Sequence, residues 1–252
     1  MSKYKKRKRN LYKNSTENFP ISRSKIDLFV ECPRCFYLDR KLGLGRPSMP
    51  GWTLNTAVDQ LLKTEFDLYR DKQERHPLMI EYDINAVPFQ HKDLPIWRDD
   101  IYRFVGASII DEETGLKIQG IIDDIWVTPE NEILIVDYKA TSTTRTISLD
   151  DEYKSSYKRQ MEIYQWLFRK MSFKVSSTGY FVFANGIKDR DLFDERLEFK
   201  LTILPYTGDD SWVGSTIKEI KKVLDSDKLP EPGDDCEYCE YRRLISQEEK
   251  IS

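Results

Sequence analysis

Histidine is nearly absent from this chain of 252 residues, which contains only His76 and His91. Both lie in polar or proline-flanked sequence, so histidine-based catalysis and a histidine-rich zinc site are poorly supported. No aliphatic run approaches the roughly 20 residues of a membrane-spanning helix, and the mean hydropathy is −0.61. We therefore expect a cytoplasmic protein with no membrane partner. The G-x-x-x-x-G-K-[ST] motif is also missing, so the sequence shows no P-loop for ATP-driven work.

An excess of positive charge is missing as well. The chain has 40 Lys and Arg residues against 43 Asp and Glu residues, for a net charge of −3. Contacts with phosphate must therefore come from local patches rather than from a globally basic surface. The basic residues near the N-terminus are one such patch, which we interpret as a disordered, solvated tail over residues 1–20, or else as an arm with non-specific affinity for phosphate. Residues 21–252 are expected to form a single domain.

Hydrophobic periodicity predicts an α/β fold. A long amphipathic helix precedes three strands, and a helix, further strands and a last helix follow. This order is typical of a mixed sheet with helices on both faces. The predicted helices are 24–31, 34–41, 54–69, 153–170 and 211–225, and the predicted strands are 101–110, 116–127, 132–140, 178–184 and 196–204.

A cluster of charged residues is predicted near the middle of the sheet. Asp137 and Lys139 are two residues apart on one strand and therefore share a face. A hairpin at 129–132 folds Asp123, which we place on the preceding strand, back toward Asp137. The apolar run 133–136 suggests a strand buried on both faces, where charge is costly unless it is paired or bound to metal. The cluster is thus either a cross-strand charge pair on a surface hairpin or a site for a hard divalent cation.

The four cysteines form two C-x-x-C pairs, Cys32 with Cys35 and Cys236 with Cys239. This spacing is a strong indication of a metal site, and we predict that all four share it. Disulfides are less expected in a cytosolic chain. Zinc and a 4Fe-4S cluster both accept four thiolates, so the sequence does not separate them; four unrelated thiols are the remaining alternative.

Several motifs in order give the chain a family resemblance. It resembles the PD-(D/E)XK nuclease superfamily, specifically the RecB-like branch, which includes CRISPR-associated exonucleases and the AddB nuclease domain. The resemblance implies a restriction-endonuclease-like core of order αβββαβ, with a mixed central sheet flanked by helices and a C-terminal cysteine-containing extension. The matching motifs are Gly120-Ile-Ile-Asp123, Asp137-Tyr138-Lys139, Gln160-Met-Glu-Ile-Tyr164, and a first helix that ends at Cys32-Pro33.

The resemblance also implies a function, the metal-dependent hydrolysis of DNA by an exonuclease. Asp123 and Asp137 would bind Mg²⁺ or Mn²⁺, and the backbone carbonyl of Tyr138 would add an oxygen. Lys139 would orient the attacking water or help to deprotonate it. The expected substrate is DNA that is single-stranded or has single-stranded ends, in processing, repair or defence. A helicase, CRISPR or recombination protein would be the partner.

Residues on the helix after the sheet complete the expected site. Gln160 and Tyr164 would position Lys139 or the DNA backbone, although ordinary core packing would also account for Tyr164. Lys154, Lys158 and Arg159 precede them and could meet phosphates, or could form a solvated helix face.

The chain departs from the family pattern in two places. Asp59 stands where RecB-like enzymes usually have a histidine, so it is either a metal ligand or a polar residue of a degenerate, non-catalytic DNA-binding or assembly module. Iron-sulfur members have one cysteine in the first helix and three near the C-terminus, whereas here Cys35 takes the place of the last one. The resemblance still favours a structural 4Fe-4S cluster over zinc. A cysteine-metal redox protein would leave Asp123, Asp137 and Lys139 unexplained.

Overall fold

The computed structural model of the chain describes residues 4–47, 51, 53–99, 106–151 and 154–249. The chain divides into two compact units. The first unit comprises Met1–Pro50, Ile110–Ile118 and Ser211–Ser252, and the second comprises Gly51–Ile109 and Gln119–Asp210. Among the described residues, no helix combines the length and the apolar character that crossing a bilayer requires.

Eight helices and eight strands are assigned within the described residues. The helices are α1 (Arg23–Glu31), α2 (Pro33–Arg40), α3 (Thr53–Lys72), α4 (Pro77–Glu81), α5 (Leu94–Asp99), α6 (Ser155–Lys170), α7 (Ser211–Asp225) and α8 (Glu237–Glu248). The strands are β1 (Pro20–Ser22), β2 (Val87–Pro88), β3 (Ala107–Ile110), β4 (Lys117–Gly120), β5 (Asp124–Val127), β6 (Ile133–Thr141), β7 (Thr178–Gly186) and β8 (Phe199–Thr207).

A mixed five-stranded sheet with the order β2-β5-β6-β7-β8 forms the centre of the second unit. Strands β6 and β7 are parallel and are joined through α6, while the other neighbouring pairs are antiparallel. On one face α3 contributes Phe66, whose ring stacks on Trp126 and lies beside Tyr138. On the other face α6 packs Met161 against Gly179 of β7. The predicted mixed α/β fold, with helices on both faces of the sheet, is confirmed.

The central strand β6 shows why this arrangement forms. Its residues Ile133–Val136 are all buried, as the continuous apolar run predicts for a strand covered on both faces. The long helix α3 buries Val58, Leu62 and Phe66 against the sheet, which is the spacing of one helical face.

The predicted strand 116–127 is wrong in one respect, because the structure has two strands there. Strand β4 belongs to a three-stranded sheet of order β1-β4-β3, and β5 belongs to the five-stranded sheet. The chain leaves the first sheet after Gly120 and enters the second at Asp124. Asp123 therefore lies between two strands rather than on one. Of the predicted strand 101–110, residues 107–110 form β3, and residues 101–105 lie outside the described residues.

The N-terminal segment differs from the expected disordered tail over its described part. Tyr12 and Phe19 are buried, and their rings meet edge to face with centroids 5.2 Å apart. The backbone N–H of Arg7 donates to the carbonyl of Gly43 at 2.8 Å. These two aromatic side chains thus bury apolar surface, which a fully solvated tail would leave in contact with water. Residues 1–3 lie outside the described part of the chain.

Candidate active site and metal centre

The end of β6 forms an acidic corner at the edge of β5. Strand β5 begins at Asp124, opposite Val136, whereas β6 continues to Thr141 beside β7 alone. Asp123 lies immediately before β5, and its Oδ2 accepts a hydrogen bond of 2.8 Å from the backbone N–H of Tyr138. The hairpin thus places the Asp123 carboxylate against the backbone of Tyr138, the residue that follows Asp137.

Asp137 is the buried centre of this corner, with 1% of its surface exposed. Its Oδ1 accepts a hydrogen bond of 2.5 Å from the amide Nε2 of Gln160, and its Oδ2 is in contact with the ammonium of Lys139. The Gln160 Oε1 also accepts a longer bond of 3.4 Å from Lys139. One amide on α6 therefore orients both the carboxylate and the ammonium, each through the atom that suits its charge.

The carboxylates also determine the charge state of Lys139. Burial lowers the pKa of the Lys139 ammonium, but the charges of Asp137 and Asp123 outweigh that effect and raise the pKa above its usual value of 10.5. The ammonium also lies 4.6 Å from the centroid of the Tyr157 ring. Lys139 is accordingly a cation at neutral pH in this arrangement.

Tyr164 holds the segment that carries Asp123. Its hydroxyl donates a hydrogen bond of 2.5 Å to the backbone carbonyl of Ile121, and its ring lies directly against Gly120. A methyl group on Gly120 would be 2.5 Å from Cε1 of that ring. The glycine of the G-x-x-D motif therefore allows α6 to approach the break between β4 and β5.

This close approach gives a stability prediction. The Gly120→Ala variant should lose about 1–3 kcal/mol of unfolding free energy, because the new methyl displaces the Tyr164 ring. Urea denaturation would measure the loss, with Gly51→Ala as the control, since a methyl there meets nothing within 4 Å. In a Tyr164→Ala background the loss should be much smaller. An equal loss in both backgrounds would contradict this explanation.

The structure gives less direct support for the predicted metal ligand Asp59. Asp59 lies on α3, where its carboxylate forms an ion pair of 2.9 Å with Lys63. Among the residues that the structure describes, the one group of three or more His, Cys, Asp or Glu side chains close enough to hold a metal is the four cysteines. Asp59 is thus not gathered into such a group with Asp123 and Asp137, and its role as a ligand stays a prediction.

The three basic residues before Gln160 differ in accessibility. The Lys154 ammonium is buried and binds the carbonyl of Ser148 and, at 2.8 Å, the carboxylate of Asp151. Lys158 and Arg159 are half-buried, and Arg159 donates to the hydroxyl of Ser155 at 3.3 Å. The Lys154 ammonium is thus engaged with Ser148 and Asp151. Contact with phosphate is therefore better supported for Lys158 and Arg159.

Behind the acidic corner lies a buried ion-pair network that the sequence analysis missed. Asp124 is fully buried at the start of β5, and it accepts hydrogen bonds from Arg70 and from the Tyr138 hydroxyl. Arg70 and Arg98 both bind Asp67. Burial and the Asp124 charge hold the pKa of Tyr138 well above 10. The i,i+3 spacing of Asp67 and Arg70 on α3 was the available local signal.

The network predicts a pH-dependent contribution to stability from Asp67. Burial raises the pKa of its carboxyl, but Arg98 and Arg70 outweigh burial and lower it below 3.8. The contribution is then present above the ordinary carboxyl pKa and is lost as pH falls through the lower folded value. Asp67→Asn should therefore destabilise the protein at pH 7, and by less at about pH 3. Urea denaturation at both pH values would test this prediction, with Asp71→Asn on the exposed side of α3 as the control. A loss of stability in Asp67→Asn that is the same at both pH values would argue against it.

The four cysteines converge on one site in the first unit, as predicted. Their sulfur atoms all lie within 4.8 Å of one another. Cys32, Cys35 and Cys236 are buried and Cys239 is half-buried. Cys32 precedes Pro33 at the start of α2, and Cys236 is the N-cap of α8. The cluster joins the two helices at opposite ends of the sequence.

Three N–H groups donate hydrogen bonds to the sulfur atoms of this cluster. Cys32 Sγ accepts backbone N–H bonds from Gly233 at 3.3 Å and from Cys35 at 3.4 Å, and Arg46 donates to Cys236 Sγ at 3.5 Å. Burial raises the pKa of Cys32, but the two N–H donors, together with hydrogen bonds from the thiols of Cys236 and Cys35, outweigh burial and lower it to about 7. Hydrogen bonds of this kind stabilise thiolates, the form that binds metal.

The family model of the PD-(D/E)XK nuclease superfamily matches residues 50–244 of the chain. The match covers most of the chain, and the fold and acidic corner agree with it, so this protein belongs to the PD-(D/E)XK nuclease superfamily. The matched residues include the acidic corner and the C-terminal cysteine pair.

Other comparisons add little to this assignment. No curated protein matches the chain. Among solved structures, the chain is similar to the crystal structure of SSO0001, with 17% identity, a TM-score of 0.38, and coverage of 92% of this chain and 87% of the other. It is also similar to an alkaline exonuclease, LHK-Exo, from Laribacter hongkongensis, with 13% identity, a TM-score of 0.37, and coverage of 92% and 95%. These likenesses are distant, and the family assignment depends on the family model.

Proposed function

We propose that this protein is a metal-dependent DNA nuclease, acting as an exonuclease of the RecB-like type. The observation that carries the proposal is the acidic corner, where Asp123, Asp137 and Lys139 converge at the end of a buried strand. Gln160 orients two of these groups. A buried carboxylate in contact with an ammonium, at a place where the neighbouring strand has ended, is unexpected for a purely structural hairpin.

The donor set of this corner suits a hard cation. Asp123 and Asp137 offer carboxylate oxygens, and Tyr138 offers a backbone carbonyl on the side toward which its N–H donates to Asp123, because both groups of a strand residue point to the same side. All are oxygen ligands, as Mg²⁺ and Mn²⁺ prefer. When bound there, such an ion lowers the pKa of water and neutralises charge on a phosphate.

The chain's own residues then have distinct roles in the proposal. Lys139 orients the attacking water, or helps to deprotonate it by stabilising, as a cation, the hydroxide that forms. It also offsets negative charge on the phosphate. Gln160 positions Asp137 and Lys139, and Tyr164 positions Asp123 through the backbone of Ile121. Asp59 would complete the set of metal ligands. Lys158 and Arg159 would bind phosphates along the DNA strand.

The proposed substrate is DNA that is single-stranded or has single-stranded ends. The absence of a P-loop motif from the sequence means that a helicase, or another recombination or CRISPR protein, would supply unwinding. Four free thiols in one cluster suit the reducing cytoplasm, where we place the activity. The cysteine site would hold its metal in a structural role, because its ligands join α2 to α8.

Cleavage of labelled DNA by anaerobically purified protein tests the proposal. We expect hydrolysis of linear single-stranded DNA with Mg²⁺ or Mn²⁺ and none with a chelator. Circular DNA should resist cleavage if the enzyme needs an end. Cleavage of circles would assign an endonuclease, and no cleavage in either metal, from folded protein, would reject the nuclease proposal.

One observation supports a second candidate function. The Asp59 carboxylate is paired with Lys63, in the position where RecB-like enzymes have a histidine. A chain that had lost a ligand there could remain a DNA-binding or assembly module without catalysis. Fluorescence anisotropy with labelled DNA distinguishes the two, since binding without cleavage in any metal would favour the module.

A further inference from the structure

We infer that the four-cysteine site holds a single tetrahedral zinc ion and not the 4Fe-4S cluster that the family resemblance favours. The inference depends on the spacing of the sulfur atoms. The distance is 3.7 Å from Cys32 to Cys239, 3.6 Å from Cys35 to Cys236, and 3.7 Å from Cys35 to Cys239. The first and third of these join the N-terminal pair to the same C-terminal cysteine.

A mononuclear site requires this spacing. Four thiolates at about 2.3 Å from one tetrahedral zinc ion are about 3.8 Å from one another. The three measured separations are within about 0.2 Å of that value, and all six fall inside 4.8 Å. Little movement of the side chains would be needed to complete the site.

An iron-sulfur cluster requires wider spacing. Each thiolate of a 4Fe-4S cluster binds a different iron, so the whole cluster lies between the sulfurs and holds them roughly 6 Å apart. In a 2Fe-2S cluster, thiolates on opposite irons are separated in a similar way. The limit of 4.8 Å on every pair leaves no room for either cluster core, and the buried helix ends that carry Cys32 and Cys236 would have to separate.

The surroundings also fit a closed zinc site. Structural zinc sites have four protein ligands and no open position, and three of these cysteines are buried. Zinc with four thiolates has a net charge of −2, which Arg46 partly offsets through its bond to Cys236. The Arg46 guanidinium lies over the Tyr238 ring, 4.5 Å from its centroid, and binds Glu31 at 2.6 Å, so it is held in place.

Metal and sulfide analysis of the full chain tests this inference, independently of nuclease activity. The protein would be purified anaerobically from cells supplied with both iron and zinc. We expect about one zinc per chain, no acid-labile sulfide, and four sulfur neighbours at about 2.3 Å in zinc X-ray absorption. Four irons with four sulfides and a shoulder near roughly 400 nm would overturn it, as would one iron without sulfide or no bound metal.

A competition experiment removes dependence on the expression host. Reduced apoprotein would be incubated anaerobically with equal amounts of Fe²⁺ and Fe³⁺ and with sulfide, freed of unbound ions by desalting, and then offered Zn²⁺. We expect zinc to be the metal recovered. Recovery of an iron-sulfur cluster would overturn the inference. Cys239→Ser, at the half-buried ligand, should bind zinc at least about tenfold more weakly, with Arg242→Gln on the exposed face of α8 as the unchanged control. If Cys239→Ser does not fold, the metal content of the unaltered chain still decides.

Discussion

Replacing Asp137 by Asn should reduce the rate of DNA cleavage by about a thousandfold or more, equivalent to about 4 kcal/mol of transition-state stabilisation. Asparagine keeps the shape of the side chain and can still accept the hydrogen bond from Gln160. It lacks the charge that would bind a divalent cation and that faces Lys139. The loss should therefore appear in the rate at saturating DNA, with the fold intact.

Lys139→Met extends the same test to the ammonium, with an expected loss of about a hundredfold or more. The methionine side chain keeps the aliphatic packing beside Tyr157, while the charge is removed. Asp191→Asn and Lys174→Met, both at exposed positions, are the matched controls and should cleave as the unaltered protein does. Normal cleavage by Asp137→Asn in Mg²⁺ would place the active site elsewhere.

Replacing Arg70 by Met should destabilise the protein by about 3–5 kcal/mol, because it leaves the fully buried carboxylate of Asp124 without its closest cation. Arg98 remains at 3.9 Å from the same oxygen, too far for a hydrogen bond. Methionine fills similar space, so the loss reports charge rather than a cavity.

Urea denaturation measures the effect, and Arg145→Met at an exposed position is the control. The double variant Arg70→Met with Asp124→Asn should recover part of the loss, because it removes the unpaired charge as well. A loss below about 1 kcal/mol for Arg70→Met, the scale of a surface ion pair, would show that the Asp124 charge is compensated without Arg70.

The two proposed metal sites differ in how well they agree with the family resemblance. At the acidic corner, the oxygen donors agree with the hard divalent cation that the resemblance implies. At the cysteines, the ligand atoms lie too close together for the implied cluster. Cys35, which replaces the fourth family cysteine, lies on α2 beside Cys32, so the two pairs approach one point from two helices. Four cysteine thiolates in this arrangement thus suit a different metal.

Local pattern determined much of this protein. The period of the apolar residues predicted α7 at its observed bounds and α6 to within two residues, because an amphipathic helix needs only its own sequence to define its buried face. The two-residue period of a strand placed Asp137 and Lys139 together, and opposite Tyr138. The two C-x-x-C pairs predicted one metal site, because metal binding restricts ligand spacing strongly.

Tertiary structure decided what depends on partners distant in sequence. The break at Gly120–Asp123 exists because β4 and β5 pair in different sheets, and strand pairing is not visible in a local period. The contacts of Asp124 with Arg70 and of Tyr164 with Ile121 join residues 54 and 43 positions apart. The sulfur spacing likewise follows from how α2 and α8 meet, which no C-x-x-C motif specifies. Sequence selected the chemical groups, and long-range packing set the distances between them.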